Sequence, residues 1–488
     1  MRLCKKVVML TVMCFIVLSH VLPATVNAST GRTVSSETQE HILSELRNAR
    51  IPNAAIAIIQ DGEVSHIFKD STQDTLFQIG SVSKSFTGFG VLLLEDDGLL
   101  SVNDPVNQHL PWFEVYYQGV PVPHEDITIG NLLHHTSGFT SHEGHFAPTH
   151  GLLSTDEFIA QVVGSELAFY PSEMYVYGNI NYVILGFIIE AVSGLSYDDF
   201  MTQNVLHPLG LYNTFTNPKR AYETGMVIGG NRLGFLRTWS RDVPFSTLAI
   251  PTGFIYSNIA DMRRWAAIHL GMVDVGEQFS RVVQQSHVHR SNYSHAFADK
   301  DWHYATGWVV CLESGDMWHD GMTPGYATSV IMSPYRNTAV VVLTNLNHGA
   351  IGNVSDFVLD TINSESFNAL PGNPFAILDL IFTIVTTIGA IATLLFVLFV
   401  LRLIKKVRSG YRIRFKVTFK KIILLIMPLT LLVITIGGYV LMPVLMDNSS
   451  AFLMLYSPAS AIFADISLIA MTVYAWCLWL AKVFVSPR

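Results

Sequence analysis

The sequence predicts an α/β ectodomain followed by a C-terminal module of three transmembrane helices. The ectodomain is read as one antiparallel sheet formed by N- and C-terminal strands, with flanking helices and a helical insertion. Three observations carry this reading. β-rich segments stand near both ends of the region 29–372; about 200 residues of helical periodicity and Gly/Pro/Asn turns separate them. Three long apolar stretches follow. The composition agrees: 14% of the 488 residues are charged, against about 25% in soluble proteins, and the mean hydropathy is +0.36.

In chain order, residues 1–28 read as a signal peptide. Arg2, Lys5 and Lys6 form a positive n-region, Val7 to Leu22 is apolar, and Val26-Asn27-Ala28 supplies small residues for cleavage. An uncleaved anchor is the alternative, and either version sends the following residues out of the cytoplasm. Thr38 to Asn48 has helical spacing at Ile42, Leu43 and Leu46. Strands over Ala54–Ile59 and Glu63–Phe68 flank Asp61-Gly62, a strong hairpin signal. Gly307–Leu312, Tyr326–Met332 and Thr338–Leu343 are β-rich and precede a helix near Gly352–Ile362. Strands at both ends with helices between them close one sheet through the two termini of the domain.

Residues 29 to 378 hold 16 Lys plus Arg against 35 Asp plus Glu, a balance of −19. That charge argues against nucleic acid and other anionic polymers as general partners. Of the four cysteines, Cys4 and Cys14 fall in the signal and Cys477 in the last apolar stretch. Cys311 is left without an internal disulfide partner, so the domain must be held by its core.

The module 373–488 contains Leu380–Leu401 (22 residues), Ile422–Met446 (25) and Ala459–Leu480 (22, with one acid, Asp465). Each exceeds the roughly 20 residues that cross a bilayer. Arg402, Lys405, Lys406, Arg408, Arg412, Arg414, Lys416, Lys420 and Lys421 lie between the first two, with no acid among them. This places the loop in the cytoplasm, and lipid-length neighbours on both sides count against a nucleic-acid reading. The expected location is therefore the cell membrane, multi-pass, with membrane lipid as a partner and the ectodomain extracytoplasmic. Pro371 and Pro374 are expected to stiffen a short linker before the first span.

The chemistry starts at Gly80-Ser81-Val82-Ser83-Lys84-Ser85-Phe86. Ser81 and Lys84, three apart, share one helix face, so hydroxyl and amine can touch. A neutral Lys beside a Ser can take part in its deprotonation. Taken alone, Ser81 reads better as a helix N-cap ahead of an apolar helix. Two later segments change the balance. Tyr177-Gly178-Asn179 precedes an apolar helix over Tyr182–Ala191, and Trp318-His319-Asp320-Gly321-Met322-Thr323-Pro324-Gly325-Tyr326 is placed at the start of a strand.

Ser-x-x-Lys, Tyr-x-Asn and a basic-x-Gly triplet in this order resemble the serine β-lactamase and penicillin-binding-protein superfamily, nearest its class C type, the S12 peptidases. Leu132-Leu133-His134-His135-Thr136-Ser137-Gly138-Phe139 resembles a further landmark of that family. The resemblance implies a β-lactamase-like ectodomain in which Ser81 attacks a carbonyl and Lys84 with Tyr177 shuttles the proton. It gives Asn179 to the substrate amide or to Lys84. It gives Gly321 to close approach of the strand to substrate, and the N–H groups of Ser81 and Met322 to an oxyanion hole. His319 stands where many relatives have Lys, which weakens recognition of a substrate carboxylate because His is largely neutral near pH 7. No cofactor is implied. The motif order, Tyr117-Gln118-Gly119 and the three-span tail are also similar to membrane-bound prodrug peptidases of the S12 family, which remove an acylated D-amino-acid cap from exported natural products.

Other candidates do not match a metal motif. His142, His145 and His150 near Glu143, and His287 with His289, lack the His-Glu-x-x-His spacing and read as polar surface loops. His134 and His135 read as a buried turn. Asp465 inside a span is a functional candidate by position, with a water-filled crevice near the outer surface as the plainer account. The expected activity is hydrolysis of an amide in a small-molecule or peptide substrate through an acyl-enzyme. The alternatives are a penicillin-binding or β-lactam-sensing protein, a β-lactamase or esterase with a peptidoglycan-related role, and an accessory to an exporter. Partners beyond substrate and lipid are left as an exporter or a second copy of the chain.

Overall fold

The computed structural model of the chain describes residues 34–60, 62–139, 154–241, 247–288, 290, 301–347, 349, 351–364, 368–370, 372–409, 412–413 and 457–486. The expected signal segment 1–28, the second apolar stretch Ile422–Met446, residues 447–450 after it, and His142, Glu143, His145, His150 and His289 lie outside them.

Helix α1 (Ser36–Asn48) starts where the Ser35 side chain accepts the Thr38 N–H, and it buries Ile42 and Leu46. Strands β1 (Ala54–Gln60) and β2 (Glu63–Lys69) pair antiparallel with Ala54 opposite Lys69 and Gln60 opposite Glu63. Helix α2 (Ser83–Asp96) and helix α3 (Asn179–Ser193) follow. A separate two-stranded hairpin joins β3 (Gly230–Gly234) to β4 (Arg237–Arg241). Helix α4 (Ile259–His269) leads to β5 (Trp302–Tyr304), β6 (Val309–Cys311), β7 (Met317–Thr323), β8 (Tyr326–Ser333) and β9 (Thr338–Thr344). The main sheet has seven strands in the order β5-β6-β7-β8-β9-β1-β2. The first strand of the domain therefore lies beside its last, Ala54 facing Thr344 and Gln60 facing Thr338.

The period of two in β1 decides which layer each side chain enters. Ala55, Ala57 and Ile59 point into the larger core with Phe86, Phe89 and Trp265. Ile56 and Ile58 point to the other face, where α1 meets α5 (Gly352–Ser364) through Ile42, Leu46, Val354 and Val358. α2 is buried from Ser83 through Leu94, as a helix enclosed on all sides must be. Trp265 of α4 stacks on Phe86 with ring centroids 4.4 Å apart, and its Nε1–H donates to Ser85 Oγ at 3.0 Å.

Two long apolar helices end the described chain, α6 (Pro374–Arg408) and α7 (Ser460–Phe484). Both are long and apolar enough to cross a membrane, α7 over Ser460–Leu478. Phe396 and Tyr474 stack between them at 4.4 Å, and Ser460 Oγ donates to Asp379 near their starts. Contacts near both starts and again farther along show that α6 and α7 run parallel.

Several expectations change in detail. Pro374 is the first residue of α6, with the Asn373 side chain accepting the Phe375 N–H, so it opens the helix and does not belong to a free linker. The His319-Asp320-Gly321 triplet sits inside β7, not at a strand start, and Thr323 to Tyr326 is the turn into β8. The β3–β4 hairpin went unread because Phe235 and Leu236 make its turn at φ 54° and 60°, where Asn-Gly or Asp-Gly is the usual signal.

Replacing Trp265 by Ala removes the stack on Phe86 and leaves Ser85 without its donor. The expected loss is ~3–5 kcal/mol in equilibrium unfolding of the full chain in detergent, whereas exposed Leu99→Ala should stay within about 0.5 kcal/mol.

Candidate active site

Backbone geometry builds the site first. Gly80 has φ 54°, and the 3₁₀ turn Gly80–Val82 leads directly into α2. A Cβ on Gly80 would lie 2.3 Å from Met322 N and 2.4 Å from the Gly321 carbonyl carbon, and a Cβ on Gly321 would lie 2.1 Å from Ile79 O. The turn and β7 are thus in backbone contact, and neither position has room for a side chain. Gly321 makes its close approach to the Ile79–Gly80 backbone. The expected approach to a substrate is not what uses up its space. The same contact brings the Met322 amide beside the turn that carries Ser81.

Ser81 sits inside the turn and is not the N-cap of α2; that position is Val82, which makes no side-chain cap bond. Lys84 occupies the first turn of α2 and is completely buried. Its Nζ is within hydrogen-bonding distance of Ser81 Oγ at 3.1 Å, Asn179 Oδ1 at 2.8 Å and Thr252 O at 2.6 Å; a neutral amine there has two N–H groups for Asn179 and Thr252 and a lone pair for the Ser81 hydroxyl. The Tyr177 ring lies under it, 4.8 Å from Nζ to centroid. Burial holds the Lys84 pKa well below the usual lysine value, which favours the neutral amine. Of the two roles open to Asn179, the structure shows it holding Lys84.

His319 is brought to the same basket. Its Nδ1–H donates to Asp320 O at 2.7 Å, which leaves Nε2 to accept the Tyr304 hydroxyl at 3.0 Å. Burial, the largest cause, pushes its pKa down to about 3. Both ring nitrogens are engaged and the ring is neutral, so it offers a substrate carboxylate neither charge nor a free N–H.

Tyr304 and His135 are the residues that sequence reading missed as site members. His135, at φ 57°, is 4.4 Å from the Tyr177 ring between centroids and 4.6 Å from that of Tyr304. Asn181 Nδ2 donates to its Nδ1 at 2.9 Å, and Ser137 Oγ donates to Asn181 Oδ1 at 2.6 Å. The Leu132–Phe139 run is therefore the backing of Tyr177, and the expectation of a buried turn understates its place. His287 is also not an open loop residue: its Nε2 meets His269 Nδ1 at 2.7 Å, against Trp308.

Asp320 turns to the opposite face of β7. Ser329 Oγ donates to its carboxylate at 2.7 Å, and burial pushes its pKa up to about 7. His319 and Asp320 then titrate in opposition. Between roughly pH 4 and 6.5 the unfolded chain carries the proton on His319, and the folded chain carries it on Asp320, so their opposite pH slopes in stability cancel.

Two measurements check this geometry. Gly80→Ala and Gly321→Ala should each abolish covalent labelling of Ser81, because a Cβ under 3 Å from backbone must part the turn from β7. Separating the titrating pair exposes each half. In Asp320→Asn, stability contributed by neutral His319 is full above pH 6.5 and is lost as pH falls toward 3, by about 1.4 kcal/mol per pH unit. In His319→Gln, stability contributed by neutral Asp320 is full below about pH 4 and is lost as pH rises through 7. Urea midpoints across pH 4–8 read both slopes.

A family model described as Beta-lactamase matches residues 39–360. Protein flp of Staphylococcus aureus (strain N315) is 30% identical over 318 residues, covering 62% of this chain and 61% of its own length. The chain spans about three fifths of the length of that curated relative. Among solved structures, a class C beta-lactamase superposes with a TM-score of 0.56 at 18% identity, over 67% of this chain and 97% of that one. An octameric penicillin-binding protein homologue from Pyrococcus abyssi superposes with a TM-score of 0.58 at 23% identity, over 71% and 80%. These superpositions establish a shared fold.

Proposed function

Because the chain belongs to the beta-lactamase family, we propose that it is a membrane-anchored, extracytoplasmic serine hydrolase that cleaves an amide through an acyl-enzyme. The observation that carries this reading is the 3.1 Å contact between Ser81 Oγ and a fully buried Lys84 amine.

Ser81 Oγ adds to the carbonyl carbon as its proton passes to the neutral Lys84 amine. The Ser81 and Met322 N–H groups hold the oxyanion. The C–N bond then breaks as Lys84, with the Tyr177 phenol, returns a proton to the leaving nitrogen. Water adds to the resulting ester, gives its proton to Lys84, and releases the acid and the Ser81 hydroxyl. Asn179 and Thr252 O fix the amine in line with Ser81. The engaged, neutral His319 favours an acyl donor with no carboxylate at that subsite, so peptidase or prodrug-amide chemistry is preferred to β-lactam recognition.

The membrane part of the proposal rests on the parallel course of α6 and α7. A chain that crosses in one direction twice must return between them, and Ile422–Met446 is the apolar stretch long enough to do so. Arg402, Lys405, Lys406 and Arg408 at the far end of α6 then mark the cytoplasmic side, and the catalytic domain stands on the other.

Ser81→Ala should abolish both turnover and labelling by a fluorophosphonate while leaving the unfolding temperature near wild type. Lys84→Ala and Tyr177→Phe should each cost several orders of magnitude in rate, and less than additively together, since they act as a unit. Labelling that persists at another serine in Ser81→Ala would remove the assignment.

A further inference from the structure

The β3–β4 hairpin is tied to the first membrane helix. Its turn amides, Phe235 N–H and Leu236 N–H, donate to the Asp379 carboxylate at 2.9 and 2.7 Å, and Ser460 Oγ of α7 donates to the same group at 2.5 Å. Ala459 N–H donates to Leu233 O at 2.7 Å, and Phe235 packs on Phe463 with centroids 5.3 Å apart. Asp379 is completely buried by these contacts. The hairpin therefore stands where the apolar surfaces of α6 and α7 begin: Ile377 is 60% exposed and Phe463 51%. Trp239 on β4 is half exposed with its Nε1–H tied to Gly234 O, the placing of an aromatic side chain at a lipid–water boundary.

Directly after the clamped Leu236 comes Arg237. With Thr238 it lines one wall of a surface cavity of about 450 Å³ whose other walls carry Arg47, Arg50 and Lys69. Four cations converge on one cavity in a domain whose balance is −19. Two are already matched: Arg47 by Glu40 at 2.5 Å, and Lys69 by Asp70 at 3.0 Å. Among the described residues no carboxylate pairs with Arg50 or Arg237, so the cavity keeps two uncompensated positive charges. Lys69 Nζ also donates to Pro52 O at 2.6 Å, which fixes one wall.

We propose that this cavity is a seat for the phosphate headgroup of an anionic phospholipid in the leaflet that α6 and α7 enter. Position selects the occupant. Arg237 is one residue from a backbone amide bonded to the first membrane helix, so a ligand in the cavity lies at headgroup depth, where basic pockets beside membrane helices take anionic lipids. The proposal rests on reading α6 and α7 as spans.

Full-length protein in detergent, offered phosphatidylglycerol or phosphatidylcholine and observed by native mass spectrometry, tests it. Wild type should retain phosphatidylglycerol at least tenfold better than phosphatidylcholine. Arg50→Glu/Arg237→Glu should lose that preference while hydrolysing a small soluble ester as wild type does, which shows it is folded. Millimolar inorganic phosphate should not displace the lipid; displacement would make the cavity a free-phosphate site and overturn the lipid seat. Equal retention of the two lipids by wild type would overturn it without reference to any variant, as would an unchanged preference in the double variant. Carbonate washing separates the underlying reading: release of wild type from membranes would overturn the spans, and the lipid seat with them.

Discussion

The buried amine of Lys84 is the constraint on which the rest depends. An ammonium enclosed in protein without a carboxylate is expensive, and Lys84 has three oxygen partners, none from an acid. The fold answers the cost by favouring the neutral amine, the protonation state that the proposed proton transfer from Ser81 requires. Burial of α2 along its full first three turns is thus part of the chemistry. Trp265, Phe86 and Gly307, whose added Cβ would lie 2.5 Å from Ser85 Cα, hold that helix too tightly for water to solvate the amine.

A second consequence falls on His135, His319, Tyr182 and Tyr304 around the amine, each of which is moved toward its neutral form. His135 and His319 are both pushed down in pKa, chiefly by burial. Tyr182 and Tyr304 are pushed up by burial. These four rings therefore present hydrogen bonds and π faces more than charge, which under the proposed chemistry would separate acyl donors by shape and hydrogen bonding.

The two long apolar helices are joined to this site through backbone. The hairpin that meets Asp379 at its tip is bonded at its base to the turn after β7, Asn231 N–H donating to Gly325 O at 3.1 Å and Tyr326 OH to Ile228 O at 2.6 Å. A displacement of α6 relative to the domain would strain the β7–β8 turn, four residues from Gly321. The two apolar helices and β7 are thus mechanically continuous, joined by hydrogen bonds as well as by the chain between them.

Local pattern was enough to place α1, the β1–β2 pair, the nucleophile turn and the apolar helices, because each is written in residues a few positions apart: Ile42 and Leu46, the turn between Gln60 and Glu63, Ser81 and Lys84. The ordered motifs carried the family resemblance for the same reason. Contacts between distant residues were not legible. Tyr304 meeting His319, His135 backing Tyr177 and Thr252 O holding Lys84 depend on how the sheet and the helical layers close, and no spacing encodes them. Asp465 drew attention as the acid within an apolar stretch, but the acid with defined partners is Asp379, one residue before the predicted start of the first span. Its role exists because the β3–β4 turn, more than 140 residues earlier in the chain, presents two backbone amides that need an acceptor. The sequence by itself determined which residues could do chemistry and which could cross a membrane. Tertiary structure decided their protonation states and their mutual placement, since both follow from burial and from backbone groups that only folding brings together.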